Sequence, residues 1–472
     1  MQAELDAASG AGPVQLVCVR VVGTGYDATP LRSGVRIIGV AFGAFPKEET
    51  PLFSVSESMS DFCGFPSVLA MSRSRRTAGA AAAVLALGLA LPITVGSVAV
   101  AAPGSSTAAA DPSSAVAGAQ PALPQPALPR PTGPHAVGAD VVQLVDAHRP
   151  DPWVPAAGPR RLMVSMYYPA RRGTGTPARY MTTDEARLLL QLKAPGLPLP
   201  PERLAGTRTW AQADAVPVAG RFPLVLLSPG FTMPRQTLTG LAVELASHGY
   251  VVALVNHTYE DSGTVFPDGQ VRGCVVCQSI PGGFAALEES RASDLSFVLD
   301  QLTAHHRHWR YAHMIDRDRI GIAGHSAGGA SAATTMAADV RVRAGVDLDG
   351  QFDVQPAAGG VGARPFLLIG SEAHTPSGPD PSWDQAWTDL TGWKRWLTVT
   401  GAAHVSFTDL ADLAAQAGYP LPGIPIAAPR AEQLTREYVT AFFDRQLKGR
   451  PEPLLDGPSS DNPEVLFQQP QP

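Results

Sequence analysis

One stretch constrains this chain more than any other: Arg319-Ile320-Gly321-Ile322-Ala323-Gly324-His325-Ser326-Ala327-Gly328-Gly329-Ala330. It is an apolar run, then Gly-x-Ser-x-Gly, then a run of small residues. This reads as a strand turning sharply into a helix. Such a turn forces its central residue into a strained backbone, so the positions two before and two after it must be small, and Gly324 and Gly328 are. Ser326 would then stand exposed at the carboxyl edge of a sheet, with the N-terminal amides of the following helix aimed at the same point.

The rest of the chain has to agree for that reading to hold, and it alternates strand and helix. Residues 222–227 and 250–255 are continuous apolar runs typical of buried parallel strands, with a helix expected over 236–248 between them. A helix over 287–302 precedes the elbow strand at 320–323, and another over 327–338 follows it. Further strands are expected at 344–348, 366–369 and 396–400. An amphipathic helix over 431–447 carries Leu434, Tyr438, Phe442 and Leu447. Runs 141–145 and 162–168 read as an antiparallel pair at the sheet edge. Thr182-Thr183-Asp184-Glu185 is a capping-box signal for a helix through Leu192, and the Pro-rich segment 170–219 around it is the candidate cap or entrance. The predicted class is α/β: an α/β-hydrolase fold, with a mostly parallel central sheet and helices on both faces.

The first third of the chain is different. Residues 1–70 contain short apolar runs such as 35–42 but no sustained period. Then Met71-Ser72-Arg73-Ser74-Arg75-Arg76 supplies a basic region, 78–93 an apolar core and Ala99-Val100-Ala101 a small-x-small cleavage site. These are the parts of a secretory signal peptide in order. We therefore expect translation to start at Met71, with 1–70 a non-native upstream extension and 71–101 the signal peptide. An Ala/Pro/Ser-rich disordered linker is expected over 102–135 and the catalytic domain over 136–472. The alternative keeps 1–70 as a cytoplasmic segment and makes 77–102 a membrane anchor, which its Gly, Pro and Thr content disfavours. The single arginine pair leaves the Sec and Tat export routes both open.

A serine hydroxyl is a poor nucleophile at neutral pH. It needs a histidine base, a carboxylate to orient that base, and two donors for the oxyanion, in this fold in the order serine, acid, histidine. Only His374 and His404 follow Ser326. His404 lies in Gly401-Ala402-Ala403-His404-Val405-Ser406-Phe407, past the last expected central strand, where the base belongs; His374 comes one strand too early. The acid is contested between Asp349, at the end of the strand after the elbow helix, and Glu372, after the next strand. Asp347 reads as a strand-end polar residue and His325 as a packing residue. In Leu226-Leu227-Ser228-Pro229-Gly230-Phe231 a turn follows an upstream strand, and position makes the backbone N–H groups of Phe231 and Ala327 the oxyanion donors.

Other chemistries find no support. The formal net charge of −6 is interspersed, which leaves no footprint for nucleic acid. The sequence shows no phosphate loop and no metal-ligand cluster, so we expect no cofactor and no metal. Of the four cysteines, Cys274-Val275-Val276-Cys277 holds the pair beyond the leader, and after export a local disulfide suits it better than a redox motif.

Four segments carry a family resemblance: Leu162-Met163-Val164-Ser165-Met166-Tyr167-Tyr168-Pro169-Ala170, residues 324–329, Val346-Asp347-Leu348-Asp349-Gly350, and the His404 segment. They resemble secreted actinobacterial hydrolases related to platelet-activating-factor acetylhydrolase, over about 136–468. The resemblance implies Asp349 as the acid and Phe231 and Ala327 as oxyanion donors. Cutinases and polyester hydrolases share the elbow but place the acid one strand later, which corresponds to Glu372. The expected protein is a secreted, monomeric serine carboxylic ester hydrolase with Ser326, His404 and Asp349 as its triad. It would act on a small-molecule or lipid ester, possess no nucleic-acid partner and remain out of the membrane after leader cleavage. The rivals are a peptidase, a cutinase-like polyesterase using Glu372, and a non-enzymatic hydrolase-fold binder tethered through 77–102.

Overall fold

The structure is a computed structural model and describes residues 124–304, 308–356 and 360–470. The expectations for 1–70, for a signal peptide at 71–101 and for an anchor at 77–102 lie outside the described residues.

The apolar runs become strands because they are too short for helices and rich in Val, Ile and Leu. In chain order these are β1 (Ala136–Pro150), β2 (Pro159–Ala170), β3 (Thr176–Pro177), β4 (Ala211–Ala213), β5 (Phe222–Ser228) and β6 (Val251–Asn256). Then come β7 (Gly263–Val265), β8 (Val271–Gly273), β9 (Ile315–His325), β10 (Val342–Leu348), β11 (Phe366–Gly370), β12 (Lys394–Val399) and β13 (Val465–Phe467). Apart from the β7–β8 hairpin they form one sheet in the order β13-β12-β11-β10-β9-β5-β6-β2-β1-β4-β3. From β6 to β12 the pairings are parallel.

Side chains alternate across this sheet with the period of two that strands impose. Leu224 and Leu226 of β5 enter one core with Ile320 and Ile322 of β9. Val225 and Leu227 enter the other with Ala323. The first core is closed by α4 (Gly283–Thr303) and α5 (Ala327–Ala338), through Leu295, Leu299 and Met336. The second is closed by α3 (Thr239–Ser247) and α8 (Ala428–Lys448), through Leu245, Leu434 and Phe442. A sheet covered on both faces is the expected α/β-hydrolase arrangement.

Three expectations need correction. The β1–β2 pair is antiparallel, with Val142 opposite Val164, but it is not the sheet edge. β2 also pairs with β6, and β4 and β3 extend the sheet beyond β1. Every residue from Leu162 to Ala170 is buried, as an interior strand requires. The folded region also reaches back past position 136. Ala127 bridges to Arg208, Leu128 is buried, and both the amide and the carbonyl of Ala127 are met by the Gln416 side chain. The Pro-rich run therefore joins the domain from at least Pro124, its backbone groups satisfied partly by the Arg208 backbone and partly by side chains. Third, the expected helix from Thr182 is present, but the Pro-rich part of 170–219 after it is not all loop. α1 (Thr183–Lys193) has the reciprocal capping box between Thr182 and Glu185, and α2 (Pro201–Ala205) follows it. Tyr180, Leu189 and Leu204 of this segment pack with Leu128 and with Leu413 of α7 (Asp409–Gln416) in a small third core. Among the described residues, no helix is long and apolar enough to cross a membrane.

Candidate active site

Ser326 sits between β9 and α5 with φ 57° and ψ −130°, a backbone conformation that L-residues rarely adopt. The flanking glycines are required by contact. A Cβ on Gly324 would lie 2.2 Å from the Gly328 carbonyl carbon, and one on Gly328 would lie 2.1 Å from the Ser228 carbonyl oxygen. The Ser326 amide donates to the Leu348 carbonyl at 2.9 Å, which ties the elbow to the strand end that carries Asp349.

Asp349 itself has φ 58° and is almost fully buried. Its Oδ2 lies 2.7 Å from Nδ1 of His404, and its Oδ1 accepts the Ser371 amide at 2.5 Å. Burial acts to raise its pKa. The His404 hydrogen bond, the nearby His374 and His404 rings and the Ser371 amide outweigh that, holding the carboxyl below its ordinary value. The Asp349 carboxylate therefore fixes Nδ1 of His404 as the protonated nitrogen and leaves Nε2 free to accept a proton. The His404 side chain is 55% exposed, so its Nε2 side is open to solvent. Glu372, the other candidate acid, is exposed and its Oε2 accepts the Gly401 amide at 3.4 Å.

His325 is more than packing. Its Nε2 donates to the His404 carbonyl at 2.8 Å and its ring lies 4.5 Å from the His404 ring. Burial, and then the adjacent His404, push its pKa down to about 3, so it stays neutral. It anchors the backbone of the candidate base from the residue beside the nucleophile. Asp347 fills the space beneath the elbow: a Cβ on Gly329 would lie 1.8 Å from its Oδ1, which accepts the Gly350 amide at 3.0 Å. Burial, with Asp349 close by, drives the Asp347 carboxyl well above the usual carboxylate range.

The turn expected to carry an oxyanion donor follows β5. Thr232 and Met233 donate their amides to the carbonyls of Glu260 and Gly230, at 2.8 and 3.1 Å. No hydrogen bond of the described residues takes up the Phe231 amide, and Ala327 is the first residue of α5, where amides lack intrahelical partners. The Phe231 ring meets Phe284 edge-on at 5.5 Å.

Sequence reasoning missed what holds this turn. Arg291 of α4 donates to the Pro229 carbonyl at 2.6 Å and to Glu260 at 2.7 Å. The Ser228 hydroxyl lies 3.0 Å from Nε2 of His257, whose Nδ1 lies 2.9 Å from Asp294. Arg160, fully buried, joins Asp294, Glu260 and Asp151. Ser228, His257 and Asp294 thus copy the order of a catalytic triad, but all three are sealed from solvent. Breaking such a buried network costs about 3–5 kcal/mol per lost partner, so it locks the turn in place. Its one sequence signal is the run Glu288, Arg291 and Asp294, charges three apart on the face of α4 that also buries Leu287 and Leu295. Cys274 and Cys277 are disulfide-bonded just after β8, and the Val275 amide donates to the Tyr259 carbonyl. Among the described residues, no group of three or more His, Cys, Asp or Glu side chains is arranged to hold a metal.

The family model described as "Platelet-activating factor acetylhydrolase, isoform II" matches residues 199–266 and 298–417, which contain the turn after β5, the elbow, Asp349 and His404. A solved ferulic acid esterase from Streptomyces cinnamoneus is 42% identical, with TM-score 0.66, and the match covers 73% of this chain and all of that one. The chain belongs to the platelet-activating-factor-acetylhydrolase-like α/β-hydrolases. An Arthroderma benhamiae protein named "Probable 1-alkyl-2-acetylglycerophosphocholine esterase" is 28% identical over 366 residues, 70% of this hydrolase and 91% of that protein. The platelet-activating factor acetylhydrolase of Cavia porcellus is 25% identical over 222 residues, 40% of this chain and 49% of its own length. This hydrolase is a serine ester hydrolase.

Proposed function

We propose that Ser326, His404 and Asp349 form a catalytic triad acting through an acyl-enzyme, with the Phe231 and Ala327 amides as oxyanion donors. The observation that carries this reading is the 2.7 Å contact between His404 Nδ1 and a buried Asp349 carboxylate. His404 Nε2 takes the Ser326 proton as Oγ attacks the ester carbonyl, and the two amides hold the oxygen that becomes negative. The same imidazole returns its proton to the leaving alcohol, then deprotonates a water that splits the acyl-serine ester and releases the acid.

The substrates are small esters with short acyl groups. Two observations support this: the family match, and a relative named for a 2-acetyl ester. A panel of p-nitrophenyl esters tests it. Turnover per KM is expected to peak at acetyl to butyryl and to drop by about tenfold or more at dodecanoyl, since each excess methylene must find room in the pocket. A rise with chain length would contradict the reading. Preference for methyl ferulate over every straight-chain ester would instead align the acyl class with that of the Streptomyces ferulic acid esterase.

The enzyme acts outside the cell as a monomer released from a leader at 71–101. The basic, apolar and small-x-small order of that segment supports this. N-terminal sequencing of the exported protein should read from about Ala102; mature protein starting at Met1 would contradict it.

A further inference from the structure

Asp349 is not engaged by His404 alone. On its other side stands His374, the histidine that comes too early in the chain to serve as the base. His374 Nε2 lies 3.6 Å from Asp349 Oδ1, an ion-pair separation, and its Nδ1 lies 3.0 Å from Asp380 Oδ2, close but out of line for a hydrogen bond. The ring is almost fully buried and stacks on Trp383 at 4.3 Å with planes 20° apart. Its backbone is equally fixed. The carbonyl accepts Trp396 Nε1 at 3.0 Å and Thr398 Oγ1 at 3.1 Å, and the amide donates to the Ser371 carbonyl at 3.0 Å. Gly370 leaves the space for this approach, since a Cβ there would lie 3.0 Å from His374 Cβ and 3.1 Å from Asp349 Oδ1.

A buried imidazole with a carboxylate at each nitrogen does not arise from packing needs alone; an apolar ring would stack on Trp383 equally well. We propose that His374 is a positioning residue for the catalytic acid, extending the triad into the line Asp380, His374, Asp349, His404, Ser326. In this arrangement the His374 ring stands against Asp349 Oδ1 and keeps it from turning away, and Asp380 borders the far side of the ring. Beyond the two carboxylates lie Asp347 and Asp353, and across Asp349 lie His404 and, beside it, His325; these are the titratable groups that face the line. The proposal rests on the triad reading above.

The test compares wild type with His374→Phe, which keeps the stacking, and His374→Gln, which keeps an N–H for Asp349. In His374→Phe, kcat on p-nitrophenyl acetate should fall about tenfold or more with KM nearly unchanged, the size of one lost interaction with a charged group. With Asp349 no longer held against it, the protonated His404 would be stabilised less, so the acid limb of kcat/KM should move to lower pH. His374→Gln should recover most of the loss. Wild-type kcat in His374→Phe would overturn the proposal. So would equal losses in both variants with an unmoved acid limb, which is what a purely structural residue gives. Should neither variant fold, 15N-histidine spectra of wild type and Asp349→Asn decide: the His374 signal should change together with that of His404, and an unmoved His374 signal overturns the proposal. Asp349→Asn also serves as the control for the triad, because full activity in that variant would sink the triad itself whatever His374 does.

Discussion

Asp349→Asn is expected to lower kcat by roughly four orders of magnitude, the effect that loss of the orienting carboxylate has in a serine–histidine–aspartate system, while leaving KM nearly unchanged. The reason is local. Asp349 Oδ2 accepts from His404 Nδ1 and Oδ1 accepts from the Ser371 amide, so both oxygens face donors. An asparagine can offer only one oxygen. If that oxygen stays on the Ser371 amide, its NH2 faces His404 and selects the tautomer with the proton on Nε2, the nitrogen that must accept one from Ser326. Glu372→Gln should leave kcat within about twofold of wild type, as for a surface substitution. Glu372 is exposed and meets only the Gly401 amide, at 3.4 Å. Steady-state kinetics on p-nitrophenyl acetate checks both. A reversed result, with Glu372→Gln dead and Asp349→Asn active, would place the acid one strand later, as in cutinases.

How much of this was legible depends on whether the determinant is local. The elbow was legible because its steric demand falls within five residues, and the contacts of Gly324 and Gly328 show that demand directly. α5 spans Ala327–Ala338, the very range expected, because a helix that must start after the elbow leaves no freedom at its beginning. His404 was legible because few histidines follow Ser326. Which carboxylate meets His404 was not, since Asp349 and Glu372 both follow central strands. What separates them is the left-handed backbone of Asp349 and the Ser371 amide brought to it from the neighbouring strand, neither of which one strand's sequence reveals. The network of Arg160, His257, Glu260, Arg291 and Asp294 was invisible for the same reason: its members lie up to 134 positions apart in the chain, as for Arg160 and Asp294. The placement of 124–135 against the domain was missed because a run of Pro and Ala has no period to read, and its contacts come from Trp210 and Gln416.

The largest expected effect belongs to Ser326. Without its hydroxyl no acyl-enzyme can form, and Ser326→Ala should retain only about a millionth of the wild-type kcat. Alanine should be tolerated structurally, since the Ser326 side chain caps no helix and the contacts that shape the elbow are those of Gly324, Gly328 and Gly329. Folding should therefore survive while chemistry does not, which separates the nucleophile from a residue that merely completes the turn.

Ser326 is expected to be an activated nucleophile at a formed site, and reaction with a fluorophosphonate probe followed by peptide mass mapping reads this out. The expected result is stoichiometric labelling at Ser326 in the wild-type enzyme, none in Ser326→Ala, and labelling slowed in Asp349→Asn. Folded wild-type protein that stays unlabelled, or that carries the label on another serine, would contradict the account.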